Sequence, residues 1–71
     1  MRHVIALDVG GTSMKAALVG EDGAVLHRAR RATGREGGPD AVVDHLLAFA
    51  ADLRAHGAEH LGAPALAAGV A

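Results

Sequence analysis

Two adjacent glycines, Gly10 and Gly11, interrupt a chain that reads as strand on both sides of them. Before them, His3 to Val9 (HVIALDV) is almost continuously apolar and partly β-branched. That pattern predicts a strand near the middle of a sheet, buried on both faces. After them, residues 13–19 (SMKAALV) read as a second strand. Few architectures put a glycine turn between two strands and surround it with an acid, two hydroxyls and a lysine.

The turn, Asp8 to Lys15, has the chemistry of a phosphate site. Glycine allows positive φ and removes the Cβ atoms that would hold an anion away. The N–H groups of Gly10, Gly11 and Thr12 are then expected to form a concave donor set. Thr12 and Ser13 add hydroxyls, and Lys15 adds a mobile positive charge. Asp8, at the end of the first strand, is placed to hold Mg²⁺ through its water shell, since Mg²⁺ takes one or two carboxylates with waters and phosphate oxygens. The Walker pattern G-x-x-x-x-G-K-[ST] and the Rossmann pattern G-x-G-x-x-G are both absent. Both also require a helix after the glycines, where this chain continues as strand.

Downstream, Gly20-Glu21-Asp22-Gly23 is a hairpin signal. A third strand follows over 24–32, with Val25, His27 and Ala29 expected on one face and Leu26, Arg28 and Arg30 on the other. Three strands with short turns make an antiparallel meander. Thr33 to Gly38 is a polar, glycine-rich loop. A helix is expected over about 39–56, started by Pro39 and oriented by Asp40 and Asp44 near its start and Arg54 and His56 near its end. Val42, Val43, Leu46, Leu47, Phe49, Ala50 and Leu53 form its apolar stripe, and Gly57 is the expected stop. Past Pro64, residues 65–71 read as a fourth strand that runs to the end of the sequence. A strand–helix–strand connection of this kind returns parallel to its partner. The expected order is β-β-β-α-β.

Composition sets outer bounds. With 71 residues the chain is one domain or part of one. At that length only about 60% of the unfolded surface is buried on folding. Phe49 is the sole aromatic residue among Phe, Trp and Tyr, so the core is aliphatic and thin. There are no cysteines, which excludes disulfides and cysteine metal sites and fits a reducing cytosol. The net charge of −1 is spread over both signs and gives no nucleic-acid surface. Arg28, Arg30, Arg31 and Arg35 form a small basic cluster, best explained as a solvated strand face. The first apolar run is far shorter than the roughly 18 residues of a membrane span, and no secretory signal is visible, so a cytoplasmic location is expected. Five histidines are scattered along the chain, and only His56 and His60 share an element at close spacing. They read as surface histidines.

The run Asp8-Val9-Gly10-Gly11-Thr12-Ser13-Met14-Lys15 resembles the D-x-G-G-T-x-x-K phosphate motif of the ROK family, which comprises bacterial sugar kinases, open reading frames and repressors. The likeness extends over the whole chain, through Asp22-Gly23, the helix and the last strand. It implies an α/β, ribonuclease H-like (actin-like ATPase) subdomain, cut short in its fourth strand. It also implies an ATP-dependent, glucokinase-like kinase that uses Mg²⁺ and transfers a phosphoryl group to a hexose hydroxyl. Asp8, Gly10, Gly11, Thr12, Ser13 and Lys15 would form the phosphate side. A catalytic aspartate is expected beyond Ala71, together with a zinc loop in many members and the adenosine pocket. The isolated chain is therefore expected to be an inactive fragment of a protein that is homo-oligomeric at full length, with neither nucleic-acid nor membrane partners. A ROK repressor would carry a DNA-binding domain ahead of the first strand. Another ATPase of the same superfamily, such as a dehydratase activator, is the third option.

Overall fold

The computed structural model describes residues 1–71. Its strands are β1 (His3–Val9), β2 (Ser13–Gly20), β3 (Val25–Ala32) and β4 (Ala68–Val70), with the helix α1 (Pro39–Leu61) and a 3₁₀ turn at Arg35–Gly37 between β3 and α1. The order β-β-β-α-β is the one expected. The sheet runs β3-β2-β1-β4. β1 pairs antiparallel with β2, β2 antiparallel with β3, and β4 returns parallel to β1. This is the α/β arrangement of an actin-like N-terminal unit.

One helix covers one face of this sheet. Ile5 and Leu7 from β1, Met14, Ala16 and Leu18 from β2, and Phe49 and Leu53 from α1 make the core. Met14 and Leu18 are wholly buried, and Phe49 is 1% exposed. Burying each such side chain stabilises by about 1.5–3 kcal/mol. The opposite face carries Val4, Ala6, Asp8, Lys15, Arg28 and Arg30, all exposed. The expectation that β1 is buried on both faces is therefore corrected. β1 is central in the sheet, but nothing within residues 1–71 packs on its second face, so it alternates buried and exposed from His3 to Asp8.

Two further expectations change. In β3, Leu18 pairs with His27 but Val19 pairs with Val25, so Leu26 is an extra residue at a bulge. The bulge turns Leu26 toward the core cluster and puts Val25 beside Arg28 and Arg30 on the open face, reversing the sequence-based faces at those two positions. The helix also runs five residues past its expected end, to Leu61, and Gly62 at φ 82° supplies the left-handed cap. Its core-facing positions are Leu46, Phe49, Ala50, Leu53 and Gly57. Val43 and Leu47, part of the expected stripe, are 52% and 62% exposed, because a single sheet face contacts only one narrow side of the helix.

Gly57 is a packing residue and not a stop. A Cβ there would lie 2.5 Å from His3 Nε2. His3 is buried, and its Nδ1 donates to Met1 O over 2.8 Å, which leaves Nε2 buried without a partner and facing the helix. In an exposed helix, Gly→Ala stabilises by about 1 kcal/mol. Here overpacking reverses the sign, and Gly57→Ala is expected to lower stability by about 1–3 kcal/mol in urea unfolding. A variant as stable as the parent would refute the close approach.

Candidate phosphate-binding turn and its groove

Register fixes where the chemistry sits. Asp8 pairs with Lys15 and Val9 with Met14, so the ladder closes onto the turn at Gly10 to Thr12. Strand side chains alternate between faces. Met14 goes to the core, and Asp8 and Lys15 go together to the open face.

The turn is stitched from within and from the following loop. Gly10 N–H donates to Ser13 O over 2.9 Å, and Thr33 N–H donates to Thr12 O over 3.0 Å. The buried Thr33 hydroxyl donates to Gly10 O over 3.1 Å. His45, in the second turn of α1, donates from Nδ1 to Thr33 O over 3.0 Å. Its ring lies against Gly34, which sits at φ 74° and has no room for a Cβ. The N–H groups of Gly11 and Thr12 donate to nothing in the chain. Two free amide donors thus stand at the tip of a turn braced from outside.

The glycines serve a different purpose from the expected one. Neither Gly10 nor Gly11 has positive φ; that conformation occurs at Gly23, Gly34, Gly38 and Gly62. Gly10 is needed because a Cβ would lie 2.9 Å from Ser13 O, too close for the hydrogen-bonded turn. Its N–H is spent inside the turn, so among the expected amides only those of Gly11 and Thr12 are free. A Cβ on Gly11 would meet only Arg35 Nη1, at 3.7 Å.

Arg35 therefore overhangs the turn, and the four-arginine cluster of the sequence separates into three places. Arg31 goes to the helix side, where it pairs with Asp52 at 2.6 Å and lies 4.8 Å over the Phe49 ring. Arg28 and Arg30 project from the open face, as a solvated face requires. A groove of about 850 Å³ crosses that face, lined by Asp8, Lys15, Arg28 and Arg30 among Ala6, Ala17 and Val25. Arg2 pairs with Glu21, but Lys15, Arg28, Arg30 and Arg35 pair with no carboxylate. Thr33, His45 and Arg35 are the residues the sequence reading missed. Only a hydroxyl and a cation in a glycine-rich loop pointed toward them.

Asp8 is the one acidic side chain of the groove and forms no ion pair. A single free carboxylate fits Mg²⁺ when phosphate and water complete the coordination. No group of three acidic, histidine or cysteine donors converges elsewhere. The histidines gather in a different way. His27 stacks on His56 with ring centres 3.9 Å apart, and His60 follows at 4.3 Å. Desolvation first, then the neighbouring His27 and His60, hold the His56 pKa below 6.5, with Glu59 opposing. A lowered folded-state value means that the neutral form is favoured on folding. Stability is then full above about pH 6.5 and falls as pH drops through the lowered value. Denaturation at pH 7.5 and 5.5 is expected to show this loss, and His56→Gln is expected to flatten it. An equal loss in the variant would remove His56 as the cause.

No protein-family model matches the chain. It is similar to N-acetylmannosamine kinase of Shigella flexneri, with 40% identity over 53 residues, covering 75% of this chain and 18% of that protein. The enzyme of Shigella boydii serotype 18 is 42% identical over 52 residues, covering 73% and 18%. That of Escherichia coli O139:H28 is 40% identical over the same length and shares. The chain thus spans less than a fifth of the length of these relatives, which are ROK-family sugar kinases. No helix is long and apolar enough to cross a membrane.

The clamp on the turn gives a direct test. Thr33→Val removes the hydroxyl bond to Gly10 O and is expected to cost about 1 kcal/mol. It should also raise amide exchange at Gly11 and Thr12. Unchanged exchange would show that the turn stands without the clamp.

Proposed function

We propose that this chain, which carries the ROK phosphate motif and matches ROK-family sugar kinases over three quarters of its length, is the phosphate-binding part of an ATP-dependent sugar kinase. The observation that carries the proposal is the pair of free amides, Gly11 and Thr12, at the tip of a braced turn beside the Asp8–Lys15 pair. Phosphoryl transfer requires little covalent chemistry from a protein. It depends on positioning and on neutralising charge on the transferred group.

Each residue then has a task. The Gly11 and Thr12 amides donate to phosphate oxygens, and the Thr12 and Ser13 hydroxyls extend that donor set. Gly10 keeps the turn tight. Lys15 offsets phosphate charge, and Arg35 stands over Gly11 as a second cation. Asp8 would hold Mg²⁺, which when bound supplies charge neutralisation between phosphates. Asp8 is not the base for the sugar hydroxyl, because it shares its row with Lys15 on the phosphate side. That base belongs to sequence outside residues 1–71, as do the groups that choose the sugar.

The acceptor is proposed as a hexose hydroxyl. A glucokinase-like substrate follows from the Gly-Gly-Thr form of the motif, and an N-acetylated hexosamine from the names of the relatives. In the full-length protein, Asp8→Ala is expected to lower turnover by about 100-fold or more, the scale of losing one preorganised charge contact. Assay of ATP consumption against glucose, mannose and their N-acetylamino derivatives measures this and identifies the sugar. Near-parental turnover in Asp8→Ala would sink the assignment. The 71-residue chain alone is expected to show no turnover and no saturable ATP binding at micromolar concentration by calorimetry.

A further inference from the structure

Three imidazoles meet at the seam between β3 and the end of α1. His27, on β3, stacks on His56 with ring centres 3.9 Å apart, and His60, one turn further along the helix, lies 4.3 Å from His56. His27 pairs with the core residue Leu18, so it stands on the helix side of the sheet, away from the groove of Asp8 and Lys15. Leu18 is also at the far end of β2 from the phosphate turn, which uses none of these rings. His3 and His45 each spend a ring nitrogen on a backbone carbonyl. His27, His56 and His60 make no such bond, and Glu59 stands 3.9 Å from His60 Nε2. The gathered rings therefore hold several nitrogens that no group of the chain engages.

We infer that His27, His56 and His60 form a site for a divalent transition-metal ion of the zinc class, which clips the end of α1 to β3. The inference is independent of the phosphate turn. His56 and His60 are four residues apart on one helix face, a spacing that lets two imidazoles share an ion. His27 adds a third donor from a different element. Imidazole suits Zn²⁺, Ni²⁺ and Cu²⁺, whereas Mg²⁺ prefers oxygen ligands. The ligand is the neutral ring. Desolvation first, then His27 and His60, favours that form of His56, with Glu59 opposing. The negative end of the helix dipole also lies here and favours a cation. Stacked as they stand, the rings do not converge as ligands. Zn–N bonds of about 2.0–2.1 Å set two ring centres on a tetrahedral ion about 5 Å apart, so the rings must turn and part by roughly an ångström. No hydrogen bond resists that movement, and the His60 side chain is 56% exposed.

The competing account is that the three rings only cover the edge of the helix–sheet seam, apolar body inward and polar tip outward. Thermal unfolding of the 71-residue chain at pH 7.5, stripped with a chelator and then titrated with Zn²⁺ or Mg²⁺, separates the two, with histidine ring signals followed by NMR. Zn²⁺ at about ten times its dissociation constant is expected to raise the midpoint by about 6 °C. The ring signals of His27, His56 and His60 should move, while those of His3 and His45 stay. Mg²⁺ should move none of the five. His27→Gln keeps the helical pair but breaks the clip, so Zn²⁺ affinity should fall about tenfold or more and most of the midpoint gain should vanish. His60→Gln should also weaken binding, and the double variant His56→Gln with His60→Gln should abolish it. A midpoint that Zn²⁺ leaves unchanged would overturn the inference. So would a full gain in His27→Gln, which would assign the ion to the helix alone, or shifts spread evenly over all five histidines.

Discussion

Everything in this structure follows from one helix packing on one face of a four-stranded sheet. Phe49 and Leu53 fill the space over Met14, Ala16, Leu18, Ile5 and Leu7, and the only buried hydrophobic cluster lies there. Twelve of the 71 residues are buried, and nothing within residues 1–71 covers the second face. The other face stays uncovered, with Val4, Ala6 and Val25 exposed beside Asp8, Lys15, Arg28 and Arg30, and the alternation of the strands then decides what each residue can do. A shift of one residue in the β1–β2 register, with β1 held on the core, would send Lys15 to the helix side and Met14 to the open side, parting Lys15 from Asp8. The core thus fixes the face on which the charged groups stand.

The turn gains its shape from its neighbours more than from its glycines. Gly10 is committed to Ser13, and its carbonyl to Thr33. Thr33 is in turn held by His45 on α1. The amides of Gly11 and Thr12 stay free while the Gly10 N–H and the carbonyls of Gly10, Thr12 and Ser13 are engaged. Preorganised donors of this kind need no rearrangement when charge arrives.

Much of this was legible in the sequence. The apolar runs, Asp22-Gly23 and Pro39 set the order of elements, and the spacing from Asp8 to Lys15 brought the charged pair together. What was not legible depended on contacts between distant segments. A continuous apolar run cannot say whether one or two layers will cover it, so β1 read as buried on both faces. Gly57 read as a stop because a glycine near the end of a helical pattern is ambiguous until His3 is seen beneath it. The bulge at Leu26 changes the faces of β3 without a mark in its composition. Arg31 and Arg35 look equivalent to Arg28 and Arg30 along the chain, and only the fold sends one to Phe49 and the other to Gly11.

The contact chain from Gly10 through Thr33 to His45 joins the turn to the start of α1 without crossing the sheet. Its consequence is reciprocal. A ligand that immobilises the turn also holds down the loop and the first turns of the helix, and a perturbation there loosens the turn by the same free energy. The beginning of α1, which reaches the turn through Thr33, would thereby be a handle on how firmly the proposed site holds an anion.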